Sequence, residues 1–256
     1  MTDHNRFCFG PAHIVVVTGA GSGIGNAIAR AFDDLGATVV LNGRVAETLD
    51  RAAGEMSDRV HVMPFDLTQT DAIDEWIEEV SRKVGLVRTI VANAGKHQKR
   101  PAIDVDTASF NDLLALNLGA SFVLARAVAR RLIDAAEGGD IQFVSSMAAL
   151  FGIPLVSAYT ASKAAVAGLT RQLAVEWGAE GLRVNAIAPG FIDTEMSRTA
   201  LDNDPARKER VLRRTPLARL GTPEEIGAVS AFLSSGAASF VSGQVIAVDG
   251  GASVGF

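Results

Sequence analysis

The only tyrosine of this 256-residue sequence, Tyr159, is followed four positions later by a lysine, Lys163. On a helix, residues four apart share a face about one turn apart, so the phenol and the ammonium can point into one pocket. A free tyrosine titrates near pH ~10, and a neighbouring cation lowers the pKa of the phenol. The pair is therefore a candidate general acid or base for a proton moving to or from an alcohol oxygen. A solvated helix face can show the same spacing, so the assignment depends on the rest of the chain.

A glycine-rich turn follows the apolar run at 14–17 and precedes a helical stretch that begins near Asn26. Its sequence is Thr18-Gly19-Ala20-Gly21-Ser22-Gly23-Ile24-Gly25. Glycines let the backbone turn tightly and approach a pyrophosphate, which binds at the positive end of a helix. Such a turn alone is common in loops, but the order of strand, turn and helix predicts a dinucleotide site.

The elements that would position these residues alternate along the whole chain. Amphipathic stretches such as 72–84 separate short β-branched runs at 14–17, 38–41, 60–63, 89–92, 141–144, 183–187 and 245–248. Nearly continuous apolar runs are typical of parallel strands that are covered on both faces. We therefore expect an α/β protein with one domain over residues 1–256: a Rossmann-type, doubly wound parallel sheet of about seven strands flanked by helices.

One stretch, 191–221, differs from this alternation because it is polar and charged and contains Pro205 and Pro216. A long irregular segment in a compact domain commonly has a function, such as that of a lid over a site. We therefore predict that residues 191–221 form a substrate lid.

Composition narrows the classes of function and location. Apolar residues make up 48% of the chain and charged residues 21%, and the net charge of −5 gives no electrostatic reason to expect a nucleic-acid partner. The single cysteine, Cys8, excludes an internal disulfide, and the four histidines show no ligand spacing, so no metal site is expected. The first residues lack the apolar stretch of a signal peptide, and no apolar run approaches the ~18 residues of a membrane span. We expect a cytoplasmic protein without a membrane partner.

The glycine pattern Thr-Gly-x3-Gly-x-Gly and the Tyr-x3-Lys pattern together resemble the short-chain dehydrogenase/reductase family over essentially the whole chain. The resemblance implies four catalytic residues: Asn117, Ser146, Tyr159 and Lys163. Ser146 is chosen over Ser145 because the family's serine lies 13 residues before its tyrosine, as Ser146 does here. By the same resemblance, Ser146 binds the substrate oxygen, Tyr159 transfers the proton, Lys163 lowers the tyrosine's pKa and binds the nicotinamide ribose, and Asn117 holds a water linking Lys163 to solvent.

The resemblance also implies which residues contact a nicotinamide cofactor. They are Gly19, Gly21, Ser22, Gly23, Ile24, Gly25, Arg44, Asp66, Leu67, Asn93, Ala94, Gly95, Tyr159, Lys163, Pro189, Gly190, Ile192 and Thr194. Gly43 stands where NAD-selective relatives usually carry Asp, and the Arg44 that follows can pair with a phosphate. This favours NADP, with NAD possible, although Ser22 occupies a position where many NADP-selective relatives carry a second basic residue.

The substrate is a small alcohol or ketone, and its identity is less visible in the sequence. A basic segment, Lys96-His97-Gln98-Lys99-Arg100, follows Asn93-Ala94-Gly95 and would lie near the catalytic edge of the sheet. Either it is a solvated charge run, or one of its cations receives an anionic substrate group. Gluconate 5-dehydrogenases resemble the chain in this segment and in the Asn-Gly-Arg at 42–44, and reductases of 3-oxoacyl chains on acyl carrier protein are nearly as similar.

Two further expectations rest on the same resemblance. Relatives pair the helix corresponding to 157–181 between subunits and form tetramers, and Ala164, Ala165, Gly168 and Leu169 suit such packing, so a homotetramer is expected. A non-catalytic nucleotide-sensing module is the alternative from another class of protein. Such modules typically lose the tyrosine or the lysine, and this chain has both.

Overall fold

The computed structural model describes residues 6–255, and within them seven strands form one parallel sheet in the order β3-β2-β1-β4-β5-β6-β7. The strands are β1 (Ile14–Thr18), β2 (Thr38–Asn42), β3 (Val60–Val62), β4 (Val87–Ala92), β5 (Gly139–Val144), β6 (Leu182–Pro189) and β7 (Val245–Val248). Every residue of β1 and β2 is buried, as their apolar sequences require in a sheet covered on both faces. The predicted doubly wound fold is confirmed.

Helices cover both faces of the sheet. They are α1 (Gly23–Asp34), α2 (Ala46–Ala53), α3 (Ile73–Lys83), α4 (Thr107–Leu114), α5 (Ser121–Asp134), α6 (Ser157–Trp177), α7 (Glu195–Asp202), α8 (Pro205–Arg214) and α9 (Pro223–Ser234). One core, with Trp76, Leu124 and Phe143, lies between the sheet and α3, α5 and α6. The other, with Phe32, Leu49 and Ile226, lies under α1, α2 and α9. These two apolar layers pack against both faces of the sheet and hold it rigid, so that residues at the ends of its strands have fixed positions.

Helices α4 and α5 are joined by a π-helical segment, Ala115–Ala120, and form one continuous helix, Thr107–Asp134. Contrary to the expectation from sequence, this helix is long and apolar enough to cross a membrane by length and composition, and half of its most apolar window is buried within the protein. Leu124, Val128 and Leu132 belong to the core beneath α5, which packs on β4, β5 and α3. Packing on the sheet therefore accounts for much of its apolar character.

The stretch 191–221 contains two helices, α7 and α8, and so the expectation of an irregular segment was wrong. Thr194 precedes α7 and accepts a hydrogen bond from the Ser197 amide, while Asp204 precedes α8 and accepts one from the Arg207 amide. Pro205 occupies the first turn of α8, where proline has no amide bond to lose. Pro205, which looked like a helix breaker in the sequence, is the first residue of α8, whereas Pro216 lies beyond the end of that helix.

Candidate active site

The sheet order places β1 beside β4, and the chain leaves these two strands toward opposite sides of the sheet. In open α/β sheets, ligands bind in the crevice at the carboxyl ends of the strands where the strand order reverses. The glycine-rich turn follows β1 and Asn93 follows β4, so both flank this crevice. Ser146 follows β5 and Gly190 follows β6 at the same edge. The fold thus brings the separate sequence motifs to one place.

The glycine-rich turn has the conformation that its glycines permit. Gly19 and Gly23 have φ values of +65° and +55°, which other residues rarely adopt. A Cβ on Gly25 would lie 2.2 Å from the Gly19 carbonyl oxygen, so α1 starts in direct contact with the turn. Ser22 precedes α1 without a side-chain capping bond, and the first-turn amides remain available to an anion. The turn, which also contains Gly21 and Ile24, fits a pyrophosphate.

Asn93 fixes the end of β4 against this turn. Its Nδ2 donates a hydrogen bond to the Thr18 carbonyl at 2.8 Å. The Thr18 hydroxyl in turn accepts from the amides of Asn93 and Ala94, each at 3.0 Å. Gly95 passes so close to Asn117 that a Cβ there would lie 3.0 Å from Asn117 Oδ1. The Asn93-Ala94-Gly95 motif therefore acts as a brace for the crevice.

A cation lies where the adenosine end of a dinucleotide would bind. Arg44 is exposed just beyond β2. Two hydrogen bonds from Thr68 and, to a smaller extent, the Arg44 charge hold the pKa of Asp66 below its usual range. Leu67 is buried in the core beside it. The ionised Asp66 is thus fixed next to Arg44 at this end of the crevice.

Gly43 shapes the same end of the crevice. A Cβ on Gly43 would lie 3.2 Å from Leu49 Cδ2, which is tighter than ordinary contact. Leu49 is 1% exposed and belongs to the core under α2, so it has little room to move. An aspartate at this position would need Leu49 to shift, and no carboxylate directly precedes Arg44 to repel a phosphate.

Tyr159, Lys163 and Ser146 converge at the carboxyl end of β5. Lys163 Nζ lies 5.7 Å from the centre of the Tyr159 ring and donates a 2.6 Å hydrogen bond to the Val144 carbonyl. The Ser146 hydroxyl interacts with the Tyr159 phenol. Ser145 instead donates its hydrogen bond to the Lys163 carbonyl, at 3.0 Å. The structure thus directs Ser146, and not Ser145, toward the phenol.

Burial controls the protonation of this pair. It raises the pKa of Tyr159, and the hydrogen bond with Ser146 offsets part of the rise. It also lowers the pKa of Lys163 to about 8. The expected lowering of the phenol's pKa by Lys163 is therefore not seen in this structure, because desolvation dominates and the opposing contribution comes from Ser146. At neutral pH Tyr159 carries its proton and can donate it.

Asn117 lies in the π-helical segment and is 1% exposed. Its Oδ1 accepts from the Lys96 amide at 2.8 Å, and its Nδ2 donates to the Lys96 carbonyl at 2.9 Å and to Ser162 Oγ at 3.2 Å. Ser162 Oγ donates onward to the Tyr159 carbonyl. The side chain of Asn117 therefore contacts the backbone of Lys96 and the hydroxyl of Ser162 on α6, and no hydrogen bond in the described chain joins it to Lys163.

The residues predicted beside a nicotinamide also lie at this edge. Pro189 ends β6, and a Cβ on Gly190 would lie 2.6 Å from the Asp249 Cα, so only glycine fits there. Ile192 is 6% exposed. The Thr194 methyl lies 3.5 Å from the place that a Cβ on Gly23 would take. The start of the 191–221 segment thus contacts the glycine-rich turn and closes one side of the crevice.

The basic segment at 96–100 is less basic in the structure than in the sequence. Lys96 forms an ion pair with Asp112, and Arg100 lies 3.3 Å from the Asp106 carboxylate. Lys99 is exposed and, within residues 6–255, its ammonium has no carboxylate partner. Of the three cations of this segment, only Lys99 is therefore available to an anion among residues 6–255.

The histidine of this segment has a position that the sequence did not reveal. The His97 ring lies 4.7 Å from the Tyr159 ring, centre to centre, at an angle of 56°. Burial, followed by the charges of Arg207 and Lys99, holds the pKa of His97 below its usual range. A neutral imidazole therefore borders the proposed proton donor. Its place two positions after Asn93-Ala94-Gly95 was the available signal, but the sequence showed it as one member of a charge run.

Comparisons with known proteins agree with this geometry. The family model described as enoyl-(acyl carrier protein) reductase matches residues 19–253. The gluconate 5-dehydrogenase of Gluconobacter oxydans (strain 621H) is 38% identical over 242 residues, which cover 93% of this chain and 94% of that protein. A 3-oxoacyl-[acyl-carrier-protein] reductase of Chlamydia muridarum (strain MoPn / Nigg) is 35% identical over 240 residues, 92% of this chain and 95% of that protein.

The chain belongs to the short-chain dehydrogenase/reductase family. Among solved structures, a gluconate 5-dehydrogenase from Burkholderia cenocepacia J2315 in complex with NADP and tartrate superposes with a TM-score of 0.92. It is 31% identical, and the match covers 98% of this chain and 99% of that one. This short-chain dehydrogenase is accordingly an NAD(P)-dependent oxidoreductase that interconverts a secondary alcohol and a ketone.

The residues of this short-chain dehydrogenase fit the dinucleotide that its family uses. The positive-φ turn, the open N-terminus of α1 and the braced end of β4 suit the pyrophosphate, and Arg44 suits the adenosine end. When bound, the nicotinamide gives or accepts the hydride. No group of three His, Cys, Asp or Glu side chains in the described part of the chain is arranged to hold a metal ion.

Proposed function

We propose that the protein is an NADP-dependent dehydrogenase of a hydroxy acid of the sugar-acid type, with Ser146, Tyr159, Lys163 and Asn117 as its catalytic residues. The observation that carries the proposal is the convergence of Ser146 and Tyr159 beside Lys163, at the edge of the sheet where the dinucleotide crevice ends. An alcohol or carbonyl oxygen placed between the serine hydroxyl and the phenol would meet both a hydrogen-bond donor and a proton donor.

Each side chain has a separate task in carbonyl reduction. Ser146 donates a hydrogen bond to the carbonyl oxygen, and Tyr159 gives its proton to the oxygen as negative charge develops there. Lys163 is held by Val144 at 2.6 Å, where its charge stabilises the phenolate that remains. Asn117 fixes the 96–100 segment beside Tyr159 and thereby positions the wall of the pocket. In alcohol oxidation the proton moves in the opposite direction.

The test of this assignment is Tyr159→Phe, which removes the hydroxyl and keeps the ring that packs on His97. We expect a fall in kcat of about 10²- to 10⁴-fold, the usual contribution of acid–base assistance. NADP binding and thermal unfolding should change little, because no backbone hydrogen bond depends on the hydroxyl. Retention of more than about a tenth of the activity would remove Tyr159 from this role.

Two sets of observations support an acidic substrate and NADP. The Gluconobacter relative is named for gluconate, and the Burkholderia structure contains a dicarboxylate, tartrate, together with NADP. In this chain, Lys99 remains without a carboxylate partner in the described residues, near the proposed proton donor. Gly43 and Arg44 leave the adenosine end free of a carboxylate on β2 that would repel a phosphate.

The cofactor preference is tested with Arg44→Ala. We expect KM for NADP to rise about tenfold to a hundredfold, the effect of losing one charged hydrogen bond, and KM for NAD to change much less. Equal losses for the two cofactors would show that Arg44 stacks on adenine instead of binding the phosphate. A wild-type preference for NAD would refute the NADP assignment.

The second candidate function is reduction of a 3-oxoacyl thioester, which the Chlamydia relative favours. Activity of the wild-type enzyme on an acetoacetyl thioester, without activity on keto-sugar acids, would establish it. A non-catalytic nucleotide-sensing module is contradicted by any turnover of NADPH that Tyr159→Phe abolishes.

We also propose that the enzyme is a cytoplasmic homotetramer built from one domain, with residues 191–221 as its lid, and that it needs neither nucleic acid nor a membrane. The assembly is supported by the outer surface of α6, where Ala164 is exposed and a Cβ on Gly168 would meet no atom within 4 Å. Val175, on the same helix, is 83% exposed. Light scattering on the purified protein measures the assembly, and a monomeric mass would contradict it.

A further inference from the structure

The 96–100 segment contains cations of two kinds. Lys96 and Arg100 face the carboxylates of Asp112 and Asp106, which belong to α4 or precede it directly. Lys99 has no such partner in the part of the chain that the structure describes. Opposite charges at close range largely cancel each other's field beyond their pair, so Lys99 is the cation of this segment that can attract an anion.

The lid supplies a second cation to the same place. Arg207 lies in the first turn of α8, is partly buried, and forms no ion pair within residues 6–255. Its charge and that of Lys99 both act on the His97 ring. At the other end of α8, the Arg214 guanidinium lies 4.1 Å from the centre of the Phe151 ring, which belongs to the loop after Ser146. This contact packs the end of α8 against the loop after Ser146, and Arg207, on the same helix, is near enough for its charge to act on His97.

The imidazole of His97 contacts the reaction centre and also lies within range of the charges of both cations. One side of the ring contacts Tyr159, and its nitrogens make no hydrogen bond to any described residue. A neutral imidazole offers one donor and one acceptor. It can therefore bind an oxygen of the substrate between the cations and the phenol.

We infer that Arg207, Lys99 and His97 bind the carboxylate end of the substrate while its carbinol carbon lies at Tyr159. The inference rests on the proposed function and adds that the substrate must carry a carboxylate at a set distance from the reacting carbon. The ring that contacts Tyr159 is that of His97, and neither Lys99 nor Arg207 contacts the phenol in the described residues, so a carboxylate bound by the two cations would be several carbons away from the reacting carbon. An α-keto acid is too short to reach both ends, whereas a keto-sugar acid reacting near its far end has the required length.

The test compares two ketones that differ only at this end. The first is 5-keto-D-gluconate, the product of oxidising gluconate at carbon 5, and the second is L-sorbose, which has CH₂OH in place of the carboxylate. The variant is Lys99→Met/Arg207→Gln, and its matched control is Lys96→Met/Arg100→Gln, which removes two cations that already face carboxylates. The measurement is kcat/KM with NADPH for each ketone.

In the Lys99/Arg207 variant we expect kcat/KM for 5-keto-D-gluconate to fall about tenfold to a hundredfold, the range for loss of charged hydrogen bonds, and L-sorbose turnover to change less than about twofold. The control should leave the ratio between the two ketones unchanged. His97→Phe keeps the ring beside Tyr159 and should lower kcat/KM for the acid about threefold to tenfold. Added salt should weaken the preference for the acid in the wild type and not in the variant.

The remaining outcomes separate this inference from the proposed function. Equal losses on both ketones, no loss on either, or an equal effect of the control would overturn the inference and leave the sugar-acid activity in place. If the wild type reduces no keto-sugar acid, the proposed function fails. Calorimetric titration of the NADP-loaded enzyme with D-gluconate then decides whether the carboxylate site exists. Binding that the Lys99/Arg207 variant loses supports the carboxylate site, and absence of binding to the wild type refutes it.

Discussion

Lys163→Met should make the protein more stable while it abolishes activity. Burial lowers the pKa of Lys163 from its usual 10.5 to about 8, and each pKa unit corresponds to about 1.4 kcal/mol, so burying the ammonium costs roughly 3 kcal/mol at neutral pH. Methionine fills a similar volume without this cost. The hydrogen bond from the ammonium to the Val144 carbonyl is lost, which removes about 2 kcal/mol, the usual range for a charged donor. The variant should therefore gain about 1 kcal/mol in the free energy of unfolding.

The gain should depend on pH, with a sign that follows from the direction of the shift. Between pH 8 and 10.5 the folded protein has released the Lys163 proton while the unfolded chain still holds it. Stability that depends on this group therefore rises with pH through that window. Above it the amine is neutral in both states and the cost of burying a charge disappears. The advantage of Lys163→Met should turn from a gain of about 1 kcal/mol at pH 7 into a deficit of about 1 kcal/mol near pH 10.5, where only the hydrogen bond of a neutral amine is lost.

Urea unfolding of both proteins at pH 7 and near pH 10 measures the effect. The control is Lys83→Met, at an exposed lysine of α3 that pairs with Glu79, where we expect a change below about 0.5 kcal/mol at either pH. A Lys163→Met variant that is less stable than the wild type at pH 7, by an amount independent of pH, would refute the reasoning. It would mean that the lysine stabilises the fold through its hydrogen bond more than its burial destabilises it.

Two other predictions follow from the geometry of the site. Gly25→Ala would place a Cβ 2.2 Å from the Gly19 carbonyl oxygen, so it should raise the dissociation constant of the dinucleotide about tenfold or more. The control is Gly178→Ala: Gly178 follows α6 with helical φ and ψ, and a Cβ there would meet no atom within 4 Å, so this variant should gain up to about 1 kcal/mol of stability and keep wild-type affinity. Calorimetric cofactor titration and urea unfolding check the pair, and equal affinities would contradict the steric reasoning. Ser146→Ala should lower kcat by about 10²-fold or more. Ser145→Ala loses a hydrogen bond to the Lys163 carbonyl, so it should cost about 1 kcal/mol of stability and lower kcat less. Steady-state kinetics measures both variants, and the opposite order of their kcat values would show that the assignment is wrong.

The fold could be predicted from sequence because its signals are local. Each of the seven β-branched runs became a strand, and the glycine-rich turn after β1 has the positive φ angles that its glycines predicted. The spacing of Tyr159 and Lys163 was sufficient to place them one turn apart on α6. The distinction between Ser145 and Ser146 came from a family spacing, and the hydrogen bonds of the two hydroxyls are consistent with it.

What the sequence could not predict depends on contacts between distant segments. The carboxylates that pair with Lys96 and Arg100 lie 6–16 residues further along the chain, and only folding shows that they cancel these charges. The proximity of Arg207 to His97 joins α8 to the segment after β4 across more than 100 residues of sequence. The helices α7 and α8 were missed because the stretch 191–221 is polar and charged and contains Pro205 and Pro216, although the first turn of a helix tolerates proline, as at Pro205.

Burial explains why the pKa values of the two ionisable groups of the site shift in opposite directions. Desolvation favours the neutral form of any group. It therefore raises the pKa of Tyr159, which keeps its proton, and lowers the pKa of Lys163, which binds its proton less tightly. A phenol that keeps its proton at neutral pH can donate it. The buried, charged lysine is stabilised when a phenolate forms beside it. The charged Lys163 thus destabilises the folded state and stabilises the negative charge that forms at Tyr159 during the reaction.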